Sequence, residues 1–132
     1  AKQLGIDHAV TFPGFVNHPD LPSIYPQYDL FLTASTMETQ GLVVLEAMAC
    51  GLPCIGVDSY ALPELIQNNR NGFIVEPFDH LAMAEKVLQL MGDEALYRRF
   101  SLQSLEIARE HDIVLCADRL ETVYKMVAEG KI

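Results

Sequence analysis

Positive charge is scarce in this sequence: 9 Lys and Arg stand against 18 Asp and Glu, a formal net charge of −9 over 132 residues. Phosphate-backbone binding relies on clustered Lys and Arg, so nucleic acid is not an expected partner. No apolar run approaches the roughly 20 residues that span a bilayer, and the start has no charged stretch followed by an apolar one. On these grounds the chain reads as soluble and cytoplasmic. Cysteine is also sparse. Cys50, Cys54 and Cys116 are an odd number at spacings that match no zinc pattern, with no His cluster nearby, so the expectation is reduced thiols and no metal. Internal repeats, low-complexity tracts and linkers are missing too.

What the sequence does have is apolar content. Half of its residues are hydrophobic, enough for one sizeable core but hardly two, which predicts one domain or part of one. The β-branched and aromatic run Ala9-Val10-Thr11-Phe12, ended by Pro13-Gly14, predicts a short strand. Asp29 to Ala34 predicts a second strand, nearly continuous in apolar residues and therefore buried on both faces. Between them, Leu21, Ile24 and Tyr25 have the spacing of a short helix within Pro19 to Gln27.

After Gly41, dense apolar and small residues predict a buried helix of about 10 residues, closed by Gly51 and followed by Pro53. Cys54 to Val57 is a third predicted strand, Pro63 to Gln67 a short helix, and Asn71-Gly72 a turn before Phe73-Ile74-Val75. From Asp79 onward only helices are predicted: Leu81 to Met91, a second from Gly92-Asp93 to about Glu110, and a third from Asp112 to Ala128. Strands alternating with helices predict α/β architecture: a parallel, Rossmann-like sheet covered on both sides.

The segment from Glu38 to Pro53 carries the chemistry. It runs strand, acid, glycine and then helix, and a helix N-terminus presents unpaired N–H groups and partial positive charge. With Gly41 allowing close approach, a diphosphate is the natural guest, at the carboxyl end of a parallel strand where open α/β sheets bind ligands. Glu46 falls one and a half turns inside the helix, its carboxylate roughly 6 to 8 Å from the helix start. A ribose diol, with two hydroxyl donors, suits that acid. Two other readings stay open: Glu38 as an acid favoured near a helix N-terminus with Glu46 paired to a basic neighbour, and a hydrolase carboxylate pair facing one bond.

Glu38-x7-Glu46, within "STMETQGLVVLEAMACGLPCIGVD", resembles the E-x7-E motif of retaining, group 1 (family 4-like) glycosyltransferases. The resemblance extends along almost the whole chain, through "FPGFVNHPDLPSIYPQYDLFLTAS", "LPELI" and "NGFIVEP". It implies a GT-B fold, with residues 1–132 as a partial C-terminal donor-binding domain. The first strand and helix of that domain are expected to be lacking, and the C-terminal helices to be additions.

By position, the resemblance implies that Glu38 contacts the donor sugar as the catalytic acid of the motif. It implies that Thr39, Gln40, Gly41, Leu42 and Val43 hold sugar hydroxyls and phosphates, and that Glu46 holds the ribose. Val16 and His18 fall in the loop that brackets the base; for His18 a plain surface-loop role is the competing reading. The implied reaction passes a hexose from a nucleoside diphosphate sugar, UDP- or GDP-linked, to a glycan or lipid acceptor with retained configuration and no cofactor.

The family's diphosphate-clamping Arg and Lys, and its acceptor-binding N-terminal domain, are not found in these residues. The expectation is therefore a fragment of a protein about three times longer, inactive alone, the whole enzyme cytoplasmic with peripheral association at the inner membrane face. The alternatives are a non-catalytic module that binds a nucleotide sugar or phospholigand, and a sugar phosphorylase or synthase of the same fold. A regulatory Cys50/Cys54 pair is a minor alternative to core thiols. For the C-terminal helices, solvated faces over a core are preferred to an acceptor or membrane surface.

Overall fold

The computed structural model describes all residues, 1–132, and has at its centre a three-stranded parallel sheet in the order β1-β2-β3. Strand β1 is Phe31–Leu32, β2 is Cys54–Val57 and β3 is Gly72–Val75. Phe31 and Leu32 lie opposite Cys54 and Ile55, and Cys54 through Val57 lie opposite Gly72 through Val75. All four residues of β2 are buried, as its unbroken apolar run requires of a strand with neighbours on both sides.

The crossovers are α2 (Leu42–Ala49) between β1 and β2, and α3 (Leu62–Leu65) between β2 and β3. A short α1 (Leu21–Ile24) precedes the sheet, continued at either end by 3-10 turns over His18–Asp20 and Tyr25–Gln27. Three helices follow it: α4 (His80–Met91), α5 (Glu94–Glu110) and α6 (Ile113–Ala128). Each of these begins on an aspartate whose side chain accepts a backbone N–H, Asp79 from Ala82, Asp93 from Leu96 and Asp112 from Val114. Such caps fix a helix start where no intrahelical acceptor exists.

Two apolar clusters hold these layers. Val44, Ala47 and Met48 of α2, with no exposed surface, join Leu62, Leu65 and Ile107 in one cluster. Ile55 and its register partner Phe73 join Leu90 and Phe100 in the other, where the two phenyl rings meet edge to face at 5.1 Å.

Several expectations are corrected. No strand forms at residues 9–12. Asp7–Ala9 is a 3-10 turn, and Phe12 is 81% exposed, because no strand edge lies alongside to pair with it. Strand β1 is an edge of two residues rather than a strand buried on both faces, and Leu32 is left 47% exposed. The short helix expected within 19–27 forms over Leu21–Ile24 alone, with 3-10 turns on either side of it, because Pro19, Pro22 and Pro26 each remove a backbone donor. Finally, α6 covers no core: none of its residues is buried, and Ile113, Val114 and Tyr124 are largely exposed.

Gly72 marks the tightest backbone approach between β2 and β3. A Cβ there would stand 1.8 Å from the carbonyl oxygen of Cys54, a backbone atom that cannot swing away. Gly72→Ala is expected to cost about 3 kcal/mol, the upper end of ordinary overpacking, read as a lower urea midpoint at unchanged m-value.

Candidate functional site

The three strands point their carboxyl ends the same way, and the loops leaving them are tied to one another. The Ser59 hydroxyl, after β2, donates to the Thr36 carbonyl at 3.0 Å, and the Ala61 N–H donates to the Glu38 carbonyl at 3.1 Å. The loop after β1 is thereby fixed just before it turns into α2. Gly41 makes that turn with φ +70°, a left-handed conformation that costs a residue with a Cβ about 1–2 kcal/mol.

At this turn Glu38 is half-buried and folds back onto the helix start. Its Oε1 accepts the N–H of Gly41 at 2.8 Å and, less closely, that of Gln40 at 3.3 Å. Its Oε2 accepts nothing from the chain, nor do the N–H groups of Leu42 and Val43, the first two helical residues, donate to any group of it. The helix end thus holds one internal carboxylate and two amides open to an external acceptor. Thr39, Gln40, Leu42 and Val43 are exposed around it, while Gly41 is buried.

Glu46, the fifth residue of α2, lies in a second environment. Its Oε2 accepts the phenol of Tyr25 at 3.0 Å, and its Oε1 is 3.7 Å from Nδ1 of His18, a side chain 82% exposed. Burial, and then the hydrogen bond to Glu46, push the Tyr25 phenol up to about 12, so it remains a donor throughout the ordinary pH range. Tyr25 in turn rests edge-on against Phe31 of β1, with centroids 6.3 Å apart. His18, Leu21, Pro22, Tyr25, Ala49 and Cys50 surround Glu46 in a cleft of about 310 Å³. A second opening, of about 430 Å³, reaches Glu46 from the side of Leu42 and His111.

The two acids therefore have separate partners. Glu38 belongs to the helix start and Glu46 to the cleft, and Glu38 lines neither opening around Glu46. The capping role weighed for Glu38 is present, while the partner of Glu46 is foremost a phenol rather than a basic side chain. Val16 lies apart from His18: it lines an apolar hollow with Pro13, Tyr28 and Leu52, which shares Leu21 and Tyr25 with the cleft of Glu46.

Sequence reading missed Tyr25, taking it only as an apolar helix residue. Its partner is 21 residues further on, and no local pattern signals that pairing. Cys50 also lines the cleft, with its thiol pushed up by burial and by Glu46, which keeps it in the unreactive form. No group of three or more His, Cys, Asp and Glu side chains could hold a metal ion, and no helix is long and apolar enough to cross a membrane.

Residues 1–107 match the family described as glycosyl transferases group 1. The chain is 38% identical over 109 residues to N-acetyl-alpha-D-glucosaminyl L-malate synthase of Bacillus anthracis, an alignment covering 83% of this chain and 28% of that protein. Among solved structures, it superposes on the C-terminal domain of a glycosyl transferase group 1 family protein from Francisella tularensis with a TM-score of 0.73. Identity there is 33%, over 82% of this chain and 56% of the other. Against Anabaena HepE in complex with UDP-glucose the TM-score is 0.82 at 26% identity, over 94% of this chain and 34% of that one. The fold is that of a GT-B C-terminal domain. The chain spans 24% to 32% of the length of the first four curated relatives it matches.

A methyl group at Gly41 tests the helix start directly. It would need left-handed backbone and would meet Leu65 Cδ1 at 2.3 Å, a side-chain end that can turn aside. Gly41→Ala is expected to lower stability by about 1–2 kcal/mol, mostly from the backbone, as measured by chemical denaturation.

Proposed function

This chain belongs to the glycosyl transferases of group 1, and we propose that it forms the donor-binding part of a retaining glycosyltransferase that moves a hexose from a nucleoside diphosphate sugar. The observation that carries the reading is the separation of Glu38, folded onto the start of α2, from Glu46, midway along the same helix. One acid stands at an amide-lined anion site and the other in a cleft wide enough for a nucleoside. The HepE structure holds UDP-glucose, which supports a uridine nucleotide, with GDP the other candidate base.

In this reading the diphosphate takes the open amides of Leu42 and Val43, where the helix end offsets its charge. Glu46 accepts the ribose hydroxyls, and His18 stands at the mouth of the cleft toward the base. Val16, Thr39 and Gln40 flank the donor through their loops. Glu38 keeps Oε1 on its own backbone and presents Oε2 to the donor sugar, where a carboxylate stabilises the positive charge that develops as the leaving diphosphate departs. No metal or cofactor enters this scheme. The acceptor, a glycan or a lipid, is met by polypeptide beyond these residues, at the cytoplasmic membrane face where the acceptor is a lipid. By itself this chain binds donor and transfers nothing.

Thermal shift with UDP-, GDP- and ADP-sugars is the direct test: a rise in midpoint with one base and not the others is expected. Glu46→Gln should shrink that rise. In an enzyme that includes the acceptor side, Glu38→Gln should lower turnover by at least about tenfold while nucleotide binding persists. Unchanged turnover in Glu38→Gln, or sugar transfer by these 132 residues alone, would overturn the corresponding assignment.

A further inference from the structure

Glu46 is a long, flexible side chain, and a carboxylate that must meet two adjacent hydroxyls has to face them in one orientation. Within the chain its firmest contact is the Tyr25 phenol on Oε2, at 3.0 Å; the other approach, from His18, is 3.7 Å from an exposed ring. Tyr25 is itself held at two points. Its ring lies edge-on to Phe31 of β1, and the proline at 26 fixes the backbone directly after it. A rigid donor set on one oxygen selects the rotamer of the acid and leaves Oε1, with the remaining lone pair of Oε2, facing the cleft.

We propose that Tyr25 is a positioning residue of the donor site: its hydroxyl holds Glu46 so that the carboxylate meets both ribose hydroxyls of a nucleoside diphosphate at once. The inference rests on the reading of Glu46 as the ribose contact. Tyr25 touches no substrate in this role and acts only through Glu46. The phenol brings no charge to the acid and takes one lone pair of Oε2, so Oε1 and the other lone pair of Oε2 stay open to the diol.

Tyr25→Phe deletes the hydroxyl and keeps the ring against Phe31, so the fold around the cleft survives. The test is calorimetric titration of the full chain with UDP and GDP and with their 2′,3′-dideoxy counterparts, on wild type, Tyr25→Phe, Glu46→Gln and the double variant. Tyr25→Phe is expected to weaken the ribonucleotide about tenfold and to leave the dideoxy nucleotide within about twofold of wild type. The double variant should bind no more weakly than Glu46→Gln alone. Equal weakening of ribo- and dideoxynucleotide would make Tyr25 a general packing residue and overturn the proposal, as would no weakening at all. A wild type that binds neither ribonucleotide overturns the donor-site reading itself. One that binds both sugar forms equally overturns the ribose role of Glu46, and the role of Tyr25 with it.

Discussion

Everything at this site depends on burying one side of α2 while keeping its other side and its start exposed. Val44, Ala47 and Met48 are wholly buried beneath α5 and against the sheet, so the helix has no freedom to roll or slide. Truncating one such core residue, Met48 for instance, is the kind of change that costs about 2–5 kcal/mol in a packed interior. With that face locked, the positions of Gly41 and Glu46 follow from helix geometry alone. The ties from Ser59 and Ala61 to the preceding loop then bring Glu38 to the same place.

The surroundings of the two acids differ because they are built by different parts of the chain. The Glu38 carboxylate answers to amides within three residues of it, while its backbone carbonyl is tied to Ala61 after β2. Glu46 depends on Tyr25 and His18, which come from the turns ahead of β1, and on Phe31, which supports the tyrosine. Disturbance of that leading segment therefore reaches Glu46 and passes Glu38 by. The leading segment is also lightly embedded: no residue from 1 to 30 is buried.

Elements that answer to local chemistry were legible in the sequence. The starts of the three last helices, the glycine before α2, the apolar β2 and the parallel α/β order all follow from residue types at short spacing. The misreadings share one cause. A β-rich run at 9–12 becomes a strand only if an edge lies alongside, and the apolar stripe of α6 becomes core only if something packs upon it. Neither partner is encoded in the run itself. The same limit hid Tyr25. Its phenol and the carboxylate it serves are far apart in sequence, whereas the spacing of Glu38 ahead of α2 and Glu46 within it could be read directly.

The single carboxylate oxygen that closes the helix start has a consequence for any experiment on it. Because Oε1 of Glu38 satisfies the amides of Gln40 and Gly41, this acid is part of the foundation of the turn as well as part of the site it borders. Removing it alters the backbone's own electrostatics and the field felt by an arriving anion in one stroke. Stability and ligand response at residue 38 are thus mechanically coupled. Only a replacement that keeps an oxygen acceptor while dropping the charge can pull the two apart.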